Sequence, residues 1–440
     1  MKPATIIPQP KTSPVASGAL DLLARRVIFW LLGKIRHGSL TLVEDGQRFA
    51  FGEPAASARL GATVTVRHPR FYRSVLLAGS RGLGEAYVAG WWSANDLTAF
   101  IRLLTQNLYL LEGPSGKWVW FTAPMYRLLE LPFRNTLVGS QANIAAHYDL
   151  GNDFYALFLD ETITYSCGIF EQEGSTLEEA SLAKYDRICR KLALKPEDEV
   201  LEIGTGWGGF AIYAAGRYGC RVTTTTISRA QHDLARQRIA EAGLTDRVTL
   251  LLTDYRHLTG SYDKLVSIEM IEAVGFEYLD TFFRACSQRL KYDGLMCLQA
   301  ITIADRVFER YRRSRDFIRS HVFPGSCLTS LTTMSASLAR VTDLRLIHLE
   351  DLTPHYTRTL MLWRERFLAN LDKVRALGYS ESFIRLWEFY LCYCEGGFAE
   401  EYTGDLQLLL AKPGYRQSPL PPSWGGLTME PCSAHLILDK

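Results

Sequence analysis

The fold class of this chain is decided by residues 200–210, which read Val-Leu-Glu-Ile-Gly-Thr-Gly-Trp-Gly-Gly-Phe. The apolar start predicts a β-strand that runs into a glycine-rich turn, and residues 211–218 then continue as a helix. Glycine carries no Cβ, so the backbone of such a turn can approach a ligand closely at the N-terminus of the helix. The stretch therefore predicts a nucleotide-type cofactor site in an α/β domain.

Short apolar runs alternate with helical segments on both sides of this turn. The alternation predicts a mostly parallel sheet covered by helices on both faces, in a Rossmann-like domain over residues 146–413. Two apolar runs near the C-terminal end, at residues 344–349 and 405–411, bring the number of predicted strands to seven. We expect these two strands to form a hairpin-like edge of the sheet. The predicted strands are residues 199–203, 221–226, 248–252, 264–268, 295–300, 344–349 and 405–411.

A smaller α+β domain is predicted ahead of the large one, over residues 20–115. Apolar residues recur at helical spacing over residues 20–36, and alternating runs at 39–43 and 63–66 predict strands. Three segments fall outside the two domains. We expect a flexible tail over residues 1–19, an aromatic-rich linker over 116–145 and a Pro-rich tail over 414–440.

Composition narrows the function classes. The chain has 440 residues, 47% of them hydrophobic and 22% charged, which suits two globular domains. A net charge of +2 provides no overall field for nucleic acid, so we expect no nucleic-acid partner. The nine cysteines include no C-x-x-C pair, which argues against a metal site and favours a reducing cytosol. We expect no signal peptide, because no apolar run follows a basic start, and the apolar runs near the N-terminus are far shorter than the ~20 residues that span a bilayer.

Two features of the turn favour S-adenosylmethionine over a dinucleotide. Gly204, Gly206 and Gly208 are spaced more tightly than the glycines of G-x-G-x-x-G. Glu202 precedes them inside the strand, where methyltransferases of this fold place an acidic residue near the amino end of the cofactor. A dinucleotide site and a glycine turn without any ligand remain possible on these residues alone.

The second strand ends in hydroxyl groups, whereas many nucleotide sites place an Asp or Glu there to hold the ribose. We therefore assign the ribose contacts to Thr226, Ser228 and Gln231. The threonines at residues 223–225 need no binding role, because β-branched side chains are common in strands.

Four segments give the chain a resemblance to a known family. They are His-Tyr-Asp-Leu-Gly-Asn-Asp-Phe-Tyr at 147–155, Thr-Tyr-Ser-Cys at 164–167, the loop at 202–209, and Val-Ser-Ile-Glu-Met-Ile-Glu-Ala-Val-Gly at 266–275. With them the chain resembles the cyclopropane-fatty-acyl-phospholipid synthases and their mycolic-acid-modifying relatives. Weaker matches extend the resemblance over residues 20–413. They include Phe-Pro-Gly at 323–325, Pro-His-Tyr at 354–356 and Gly-Leu-Gly-Glu-Ala-Tyr at 82–87.

The resemblance implies a class I methyltransferase that uses S-adenosylmethionine and a bound bicarbonate. Its implied reaction adds the methyl carbon to the double bond of an unsaturated acyl chain in a membrane phospholipid and forms a cyclopropane. Phe317 and Tyr356 are implied to contact the acyl chain. The implied catalytic residues around the bicarbonate are Cys167, Glu272, Gln299, Ile301 and Tyr356.

The predicted cofactor site combines the glycine-rich loop, the end of the second strand and the Tyr-Ser turn of the family. No metal is predicted in it. Its residues are Tyr165, Ser166, Glu202, Gly204, Thr205, Gly206, Gly208, Thr226, Ile227, Ser228, Gln231, Asp254, Tyr255 and Ile268.

Gln299 departs from the family pattern, which commonly has His at this position. Glutamine can donate a hydrogen bond to an anion, but it cannot carry a positive charge or a proton. We therefore expect weaker bicarbonate binding. A methyl- or methylene-branched acyl product is the main competing hypothesis to the cyclopropane.

The reaction itself limits what the residues must do. An alkene is a poor nucleophile, so positioning against the sulfonium provides most of the catalysis. Methyl transfer leaves a carbocation, which needs aromatic faces and exclusion of water. A small bound anion suits the role of base, because a side-chain base would itself risk alkylation. Two further hypotheses are a methyltransferase with a non-lipid acceptor and an inactive lipid-binding protein.

Each candidate residue also has an ordinary structural interpretation. Glu272 would then be a solvated glutamate and Cys167 a small buried hydrophobe. Phe317 and Tyr356 would pack in the core.

Six arginines lie within residues 306–319, with only two acidic residues among them. A solvated helix face is the default interpretation of such a run, and contact with lipid phosphates is the functional one. We expect a cytoplasmic protein, peripheral at the inner face of a phospholipid membrane. A homodimer is compatible with the sequence.

Overall fold

The computed structural model describes residues 18–54, 58–108, 110 and 150–416. The predicted linker over 116–145 and most of both predicted tails lie outside these residues, as does the start of the 147–155 motif. Among the described residues, no helix is long and apolar enough to cross a membrane.

The described residues of the N-terminal part form a four-stranded sheet and three helices. Strand β1 pairs antiparallel with β2 and parallel with β3, and β3 pairs antiparallel with β4, in the order β2-β1-β3-β4. The strands are β1 (Ser39–Glu44), β2 (Gln47–Gly52), β3 (Gly61–Val66) and β4 (Trp92–Ala94). The helices are α1 (Ala19–Leu32), α2 (Arg70–Val88) and α3 (Leu97–Gln106).

Two of these strands were missing from the sequence prediction. Strand β2 follows an Asp45-Gly46 turn in which both residues have positive φ, at 48° and 78°, the usual chemistry of a tight hairpin. Strand β4 has only three residues, too few for a periodic pattern. The helix predicted over 20–36 ends at Leu32.

The C-terminal part is the predicted α/β domain. Its seven strands lie in the order β10-β11-β9-β8-β5-β6-β7, and each neighbouring pair is parallel except the two that involve β11. The strands are β5 (Glu199–Ile203), β6 (Arg221–Thr226), β7 (Val248–Leu252), β8 (Tyr262–Ile268), β9 (Leu290–Ile303), β10 (Arg345–Asp351) and β11 (Thr403–Ala411).

Helices connect these strands and cover the sheet. They are α4 (Asn152–Tyr155), α5 (Leu177–Lys191), α6 (Gly209–Tyr218), α7 (Arg229–Glu241), α8 (Leu279–Arg289), α9 (Asp305–Tyr311), α10 (Phe317–His321), α11 (Leu331–Val341), α12 (Thr353–Ala369), α13 (Leu371–Ala376) and α14 (Glu381–Ala399). The Rossmann-like fold class is therefore confirmed.

The expected hairpin-like edge needs correction. Strands β10 and β11 do pair antiparallel, but helices α12, α13 and α14 lie between them in the chain. Strand β11 inserts between β10 and β9, so only β10 is at the edge. As a result, β11 brings its polar side chains next to β9 in the middle of the sheet.

The two parts pack together through α14, which contacts both α2 and α3. The Tyr87 hydroxyl donates to Glu388 at 2.8 Å, and Arg102 pairs with Glu400 at 2.6 Å. Gly84 on α2 faces the Phe317 ring so closely that a Cβ there would lie 2.2 Å from it. This contact explains the glycine in the Gly-Leu-Gly-Glu-Ala-Tyr segment.

Candidate active site

The site is organised around a buried carboxylate, that of Glu269, directly after β8. Oxygen Oε1 accepts hydrogen bonds from the Cys167 backbone N–H at 2.8 Å and from Gln299 Nε2 at 2.7 Å. Oxygen Oε2 accepts one from the Tyr356 hydroxyl at 2.6 Å. Burial raises the pKa of Glu269, and the Tyr356 hydrogen bond and the nearby Lys184 charge act in the opposite direction.

Sheet register brings these groups together. Ile268 on β8 pairs with Gln299 on β9, and the Glu269 backbone N–H donates to the Gln299 carbonyl at 2.9 Å. Gln299 in turn pairs with Gln407 on β11. The residues are thus assembled by strands that are far apart in sequence but adjacent in the sheet.

A hydrogen-bonded chain sets the orientation of the Gln299 amide. Lys191 Nζ donates to Gln407 Oε1 at 2.7 Å, and Gln407 Nε2 donates to Gln299 Oε1 at 3.0 Å. Gln299 is therefore left with its NH₂ toward Glu269 and toward Asp405, whose Oδ2 lies 3.0 Å away. Burial, together with the charges of Glu269 and Glu272, raises the pKa of Asp405 well above its usual range.

Glu272 lies one short turn beyond Glu269 and is also buried. Its Oε1 accepts the Ile301 backbone N–H at 2.5 Å, whereas Oε2 has no hydrogen-bond partner among the described residues. Burial and the neighbouring Glu269 raise the pKa of Glu272 to about 8. The solvated interpretation of Glu272 is therefore wrong.

Lys184 on α5 is fully buried beside this group of carboxylates. Its ammonium donates to Ser166 Oγ at 2.5 Å. Burial lowers the pKa of Lys184, while the carboxylates of Glu269, Asp160 and Asp405 act to keep it charged. One internal cation thus partly offsets several internal carboxyl groups.

The glycine-rich loop has the backbone geometry that a close ligand contact requires. Gly204, Gly206 and Gly208 all have positive φ, at 108°, 53° and 88°. The N–H groups of Gly204 and Thr205 both donate to the Thr225 carbonyl, which ties the loop to β6. A Cβ placed on Gly206 would meet no protein atom within 4 Å, so this position faces open space.

The buried carboxyl group of Glu202 makes the space beside the loop favourable for a cationic ligand group. Glu202 is 2% exposed, and Thr224 Oγ1 donates to it at 2.6 Å. Burial raises the pKa of Glu202 to about 8. A cationic amino group at this position would restore the charged carboxylate, which fits the amino end of S-adenosylmethionine.

One cavity of 1280 Å³ contains most of the predicted cofactor set in its wall. Gly208 and Ser228 do not line it. Gly208 precedes α6, and Ser228 caps α7 by accepting the Gln231 N–H. Asp254 does line the cavity, but its carboxylate already binds Arg256, with a closest approach of 2.7 Å. The residues in the wall are Tyr165, Ser166, Glu202, Gly204, Thr205, Gly206, Thr226, Ile227, Gln231, Asp254, Tyr255 and Ile268.

Phe317 lies elsewhere than the sequence predicts. Its ring is fully buried against Gly84 and Phe389, with a ring-centroid distance of 4.7 Å to Phe389. The neighbouring Asp316 and Ile318 line the cavity instead. Phe317 belongs to the contact between the two parts of the chain, because the glycine on α2 leaves room for its ring.

The arginine run extends over two helices, α9 and α10, and of its six arginines only Arg306 is exposed. Arg312 and Arg313 pair with Glu309, and Arg319 is 8% exposed and donates to backbone carbonyl groups. Arg310 and Arg315 line the cavity.

Sequence reasoning missed Glu269, Lys184 and Asp405. Glu269 stands in the 266–275 motif, but the family resemblance assigns the role of anion ligand to Glu272. No local signal in the sequence identifies Glu269, because its surroundings depend on the pairing of Ile268, the last residue of β8, with Gln299 on β9. Burial of Cys167 raises the pKa of its thiol well above the ordinary value, so its backbone N–H, which donates to Glu269, matters more here than its sulfur.

The sheet order with β11 antiparallel between β9 and β10, and a glycine-rich cavity after β5, define a class I S-adenosylmethionine-dependent methyltransferase. Residues 137–408 match the family described as mycolic acid cyclopropane synthetase, and the chain belongs to that family.

Individual relatives agree with this assignment. The chain is 38% identical to tuberculostearic acid methyltransferase UfaA1 of Mycobacterium tuberculosis, covering 82% of this chain and 85% of the relative. It is 36% identical to the cyclopropane-fatty-acyl-phospholipid synthase of Escherichia coli K12, covering 79% and 86%. Among solved structures, mycolic acid cyclopropane synthase CmaA1 complexed with SAH and CTAB matches with a TM-score of 0.58 and 33% identity. That match covers 62% of this chain and 98% of CmaA1.

Replacing Gly206 by valine should remove cofactor binding, because the side chain would project into the open space beside the loop. We expect affinity for S-adenosylmethionine to fall at least about tenfold, or ~1.4 kcal/mol, in isothermal titration. Gly243→Val is the matched control: Gly243 also has positive φ (+67°) and open space around its Cβ, but it lies outside the cavity. Equal affinities in the two variants would contradict this role of Gly206.

The raised pKa of Glu272 should make stability depend on pH. Between an unfolded pKa of about 4.3 and the folded value of about 8, the folded state holds a proton that the unfolded state has lost. This contribution to stability is therefore present at low pH and is lost as pH rises, by up to ~1.4 kcal/mol per pH unit. Glu272→Gln should flatten the decline in denaturant-measured stability between pH 5 and 8. The exposed Glu277→Gln should reproduce the wild-type profile, and parallel profiles for all three proteins would contradict the assignment.

Proposed function

We propose that this protein transfers the methyl carbon of S-adenosylmethionine to the double bond of an unsaturated acyl chain in a membrane phospholipid. The observation that carries the proposal is that one cavity reaches from the cofactor loop to an apolar part of the protein surface. The cavity extends from the glycine-rich loop to apolar side chains of α1 and α2, among them Trp30, Leu31 and Leu77. One space thus joins a cofactor loop to an apolar outer surface, as an acyl acceptor requires.

The residues around the loop fit the cofactor. S-Adenosylmethionine supplies an electrophilic methyl group when bound. Glu202 would bind the amino end, Gly206 would leave room for the backbone contact, and Gln231 would face the ribose. Thr226 Oγ1 donates to Gln231 Oε1 at 3.0 Å, which leaves the Gln231 NH₂ to serve as a donor.

Aromatic rings provide the environment that a carbocation on the acyl chain needs. The Tyr356 ring lies tilted by 32° against Phe398, with 4.3 Å between the ring centroids, and it meets Trp363 edge-on at 6.1 Å. Tyr165 lies 5.2 Å from Trp363, and its hydroxyl bonds that of Tyr390 at 2.7 Å. Their ring faces can stabilise positive charge, and their bulk excludes water from the reacting carbons.

The outer end of the cavity is suited to a lipid surface. Trp30 is 63% exposed and Leu77 is 74% exposed, although both are large apolar side chains. The Lys34 ammonium lies 3.4 Å from the Trp30 ring centroid, which places a cation beside the aromatic ring. Tryptophan with a neighbouring cation is typical of contact with the polar region of a bilayer. The protein would therefore lie on the membrane surface with its cavity open to the acyl chains.

For the product, a methylene-branched chain has better support than the cyclopropane expected from the sequence. Gln299 stands where the cyclopropane synthases commonly have His, and a relative that covers most of the chain is named a tuberculostearic acid methyltransferase. A methylene branch and a cyclopropane both add one CH₂ and need no reductant, whereas a saturated methyl branch would need two further electrons. The similarity to the E. coli synthase supports the cyclopropane as the second candidate.

Purified protein, S-adenosylmethionine and vesicles of an unsaturated phospholipid should yield an acyl chain heavier by one CH₂. Proton NMR of the extracted lipid should then show the alkene signals of a C=CH₂ branch on the acyl chain. Upfield cyclopropane ring signals would establish the second candidate instead. Vesicles of a saturated phospholipid are the control, and methylation of those lipids would refute an acyl double bond as the acceptor.

Membrane binding should depend on the apolar outer end of the cavity. A full burial of each side chain contributes about 1.5–3 kcal/mol, so Trp30→Glu with Leu77→Glu should reduce vesicle co-sedimentation by at least about tenfold. Leu377→Glu is the matched control, since Leu377 is 45% exposed and lies outside the cavity. Loss of binding in the control alone, or in neither variant, would contradict this surface.

A further inference from the structure

The groups that the family resemblance assigns to bicarbonate surround a carboxylate that the chain itself supplies. Three of them, the Cys167 N–H, Gln299 Nε2 and the Tyr356 hydroxyl, donate to Glu269 at 2.8, 2.7 and 2.6 Å. The remaining two, Glu272 and the Ile301 N–H, bond each other at 2.5 Å. In this arrangement all the predicted donors to the anion are already engaged.

Charge also disfavours an additional anion at this position. Glu269 raises the pKa of Glu272, and Glu269 and Glu272 together raise the pKa of Asp405, so the three carboxyl groups lie close together. A bicarbonate ion would place a second negative charge beside the Glu269 carboxylate, with Lys184 as a buried cation near it. The residues present therefore do not fit a bound bicarbonate.

We propose that Glu269 takes the place of bicarbonate and is the proton acceptor of the reaction. This inference rests on the proposed methyl transfer to an acyl chain. Glu269, Tyr356, Ile301 and Glu272 line the same cavity as the glycine-rich loop, so the carboxylate faces the space in which the transferred methyl carbon would lie. Glu269 is thereby a catalytic residue, and Gln299 is a positioning residue.

The proton transfer balances without any further reactant. After methyl transfer, a hydride moves from the methylated carbon to its neighbour, and the positive charge moves to the methylated carbon. A C–H bond of the methyl group then breaks, its electron pair forms the C=CH₂ bond, and the proton goes to Glu269. The carboxyl group becomes neutral and afterwards releases the proton to solvent.

A side-chain base near an electrophilic methyl group or a carbocation could itself be alkylated. The hydrogen bonds around Glu269 protect its carboxylate against this reaction. Both oxygens accept hydrogen bonds, so their lone pairs are held by donors in fixed directions. These donors also weaken the carboxylate as a base, which gives the hydride shift time to precede deprotonation. The same geometry therefore favours the methylene-branched product over direct ring closure.

Backbone conformation marks Glu269 as a functional position. Its φ is 47°, in the left-handed region that favours glycine. A glutamate is held in this conformation by its side-chain bonds and by its N–H bond to the Gln299 carbonyl. Glycine at position 269 would consequently remove the carboxylate without a backbone penalty, and it would open a space bounded by the donors of Gln299, Tyr356 and Cys167.

Direct anion binding tests the inference without any turnover. The ¹³C NMR line of labelled bicarbonate should broaden in the presence of Glu269→Gly and sharpen again when formate is added as a competitor. Wild type and Glu269→Gln should leave the line unchanged, because their side chains fill the site. Broadening by the wild-type protein, reversed by formate, would overturn the proposal, as would an unchanged line with a folded Glu269→Gly.

Turnover on unsaturated phospholipid vesicles gives the second test. Wild-type rates in bicarbonate-depleted buffer and in buffer with added bicarbonate should agree within twofold. Glu269→Gly and Glu269→Gln should both lose at least a hundredfold, and added bicarbonate or formate should restore at least tenfold to the glycine variant alone. Glutamine keeps the shape of the side chain but cannot accept the proton, so a merely structural role would spare Glu269→Gln. Glu277→Gln is the control for an exposed glutamate.

The two proposals fail in different ways. If the wild type makes no acyl product in either buffer, the proposed function fails, and the NMR result still decides which group occupies the anion position. If the wild type is active only with added bicarbonate, or if Glu269→Gln keeps its activity, the role of Glu269 fails and the methyl transfer stands.

Discussion

The arrangement of the site depends on one interaction, the set of three hydrogen bonds that holds the Glu269 carboxylate. Its donors come from three separate places, which are the loop after residue 164, strand β9 and helix α12. A buried carboxylate is costly unless such donors are present, so the loop, the strand and the helix must all be in position together. Lys184 and the Gln299–Gln407–Lys191 chain extend the same constraint into α5 and β11.

Strand β11 is the element that makes this possible. By inserting antiparallel between β9 and β10 it carries Asp405 and Gln407 next to Ile301 and Gln299. A parallel sheet that ended at β9 would leave the Gln299 amide exposed at an edge. The inserted strand buries it and provides hydrogen-bond partners for it, Gln407 Nε2 and Asp405 Oδ2.

The N-terminal part contributes to the same space rather than forming a separate unit. Helices α1 and α2 complete the outer wall of the cavity, and α14 joins them to the α/β domain through Tyr87, Glu388 and Arg102. The family match over residues 137–408 excludes this part, whereas the similarity to UfaA1 covers 82% of the chain. Phe317 connects the two parts, because its ring packs against Gly84 of α2. The adjacent Asp316 and Ile318 line the cavity in its place.

The sequence by itself determined the seven strands of the large sheet, the glycine-rich loop and the family. Each of these depends on a local pattern of apolar runs, glycines or motif residues. Such a pattern can be recognised without knowing which residues it contacts in the folded protein. Strand β4, the position of Phe317 and the hydrogen-bonded surroundings of Glu269 were decided only by the tertiary structure. Glu269 and Glu272 are three residues apart in the same motif, and no local signal separates them. The register of β8 against β9 places the first beside Gln299 and Tyr356, and it leaves the second to the Ile301 backbone, because hydrogen bonds across a sheet depend on which residues become neighbours in space.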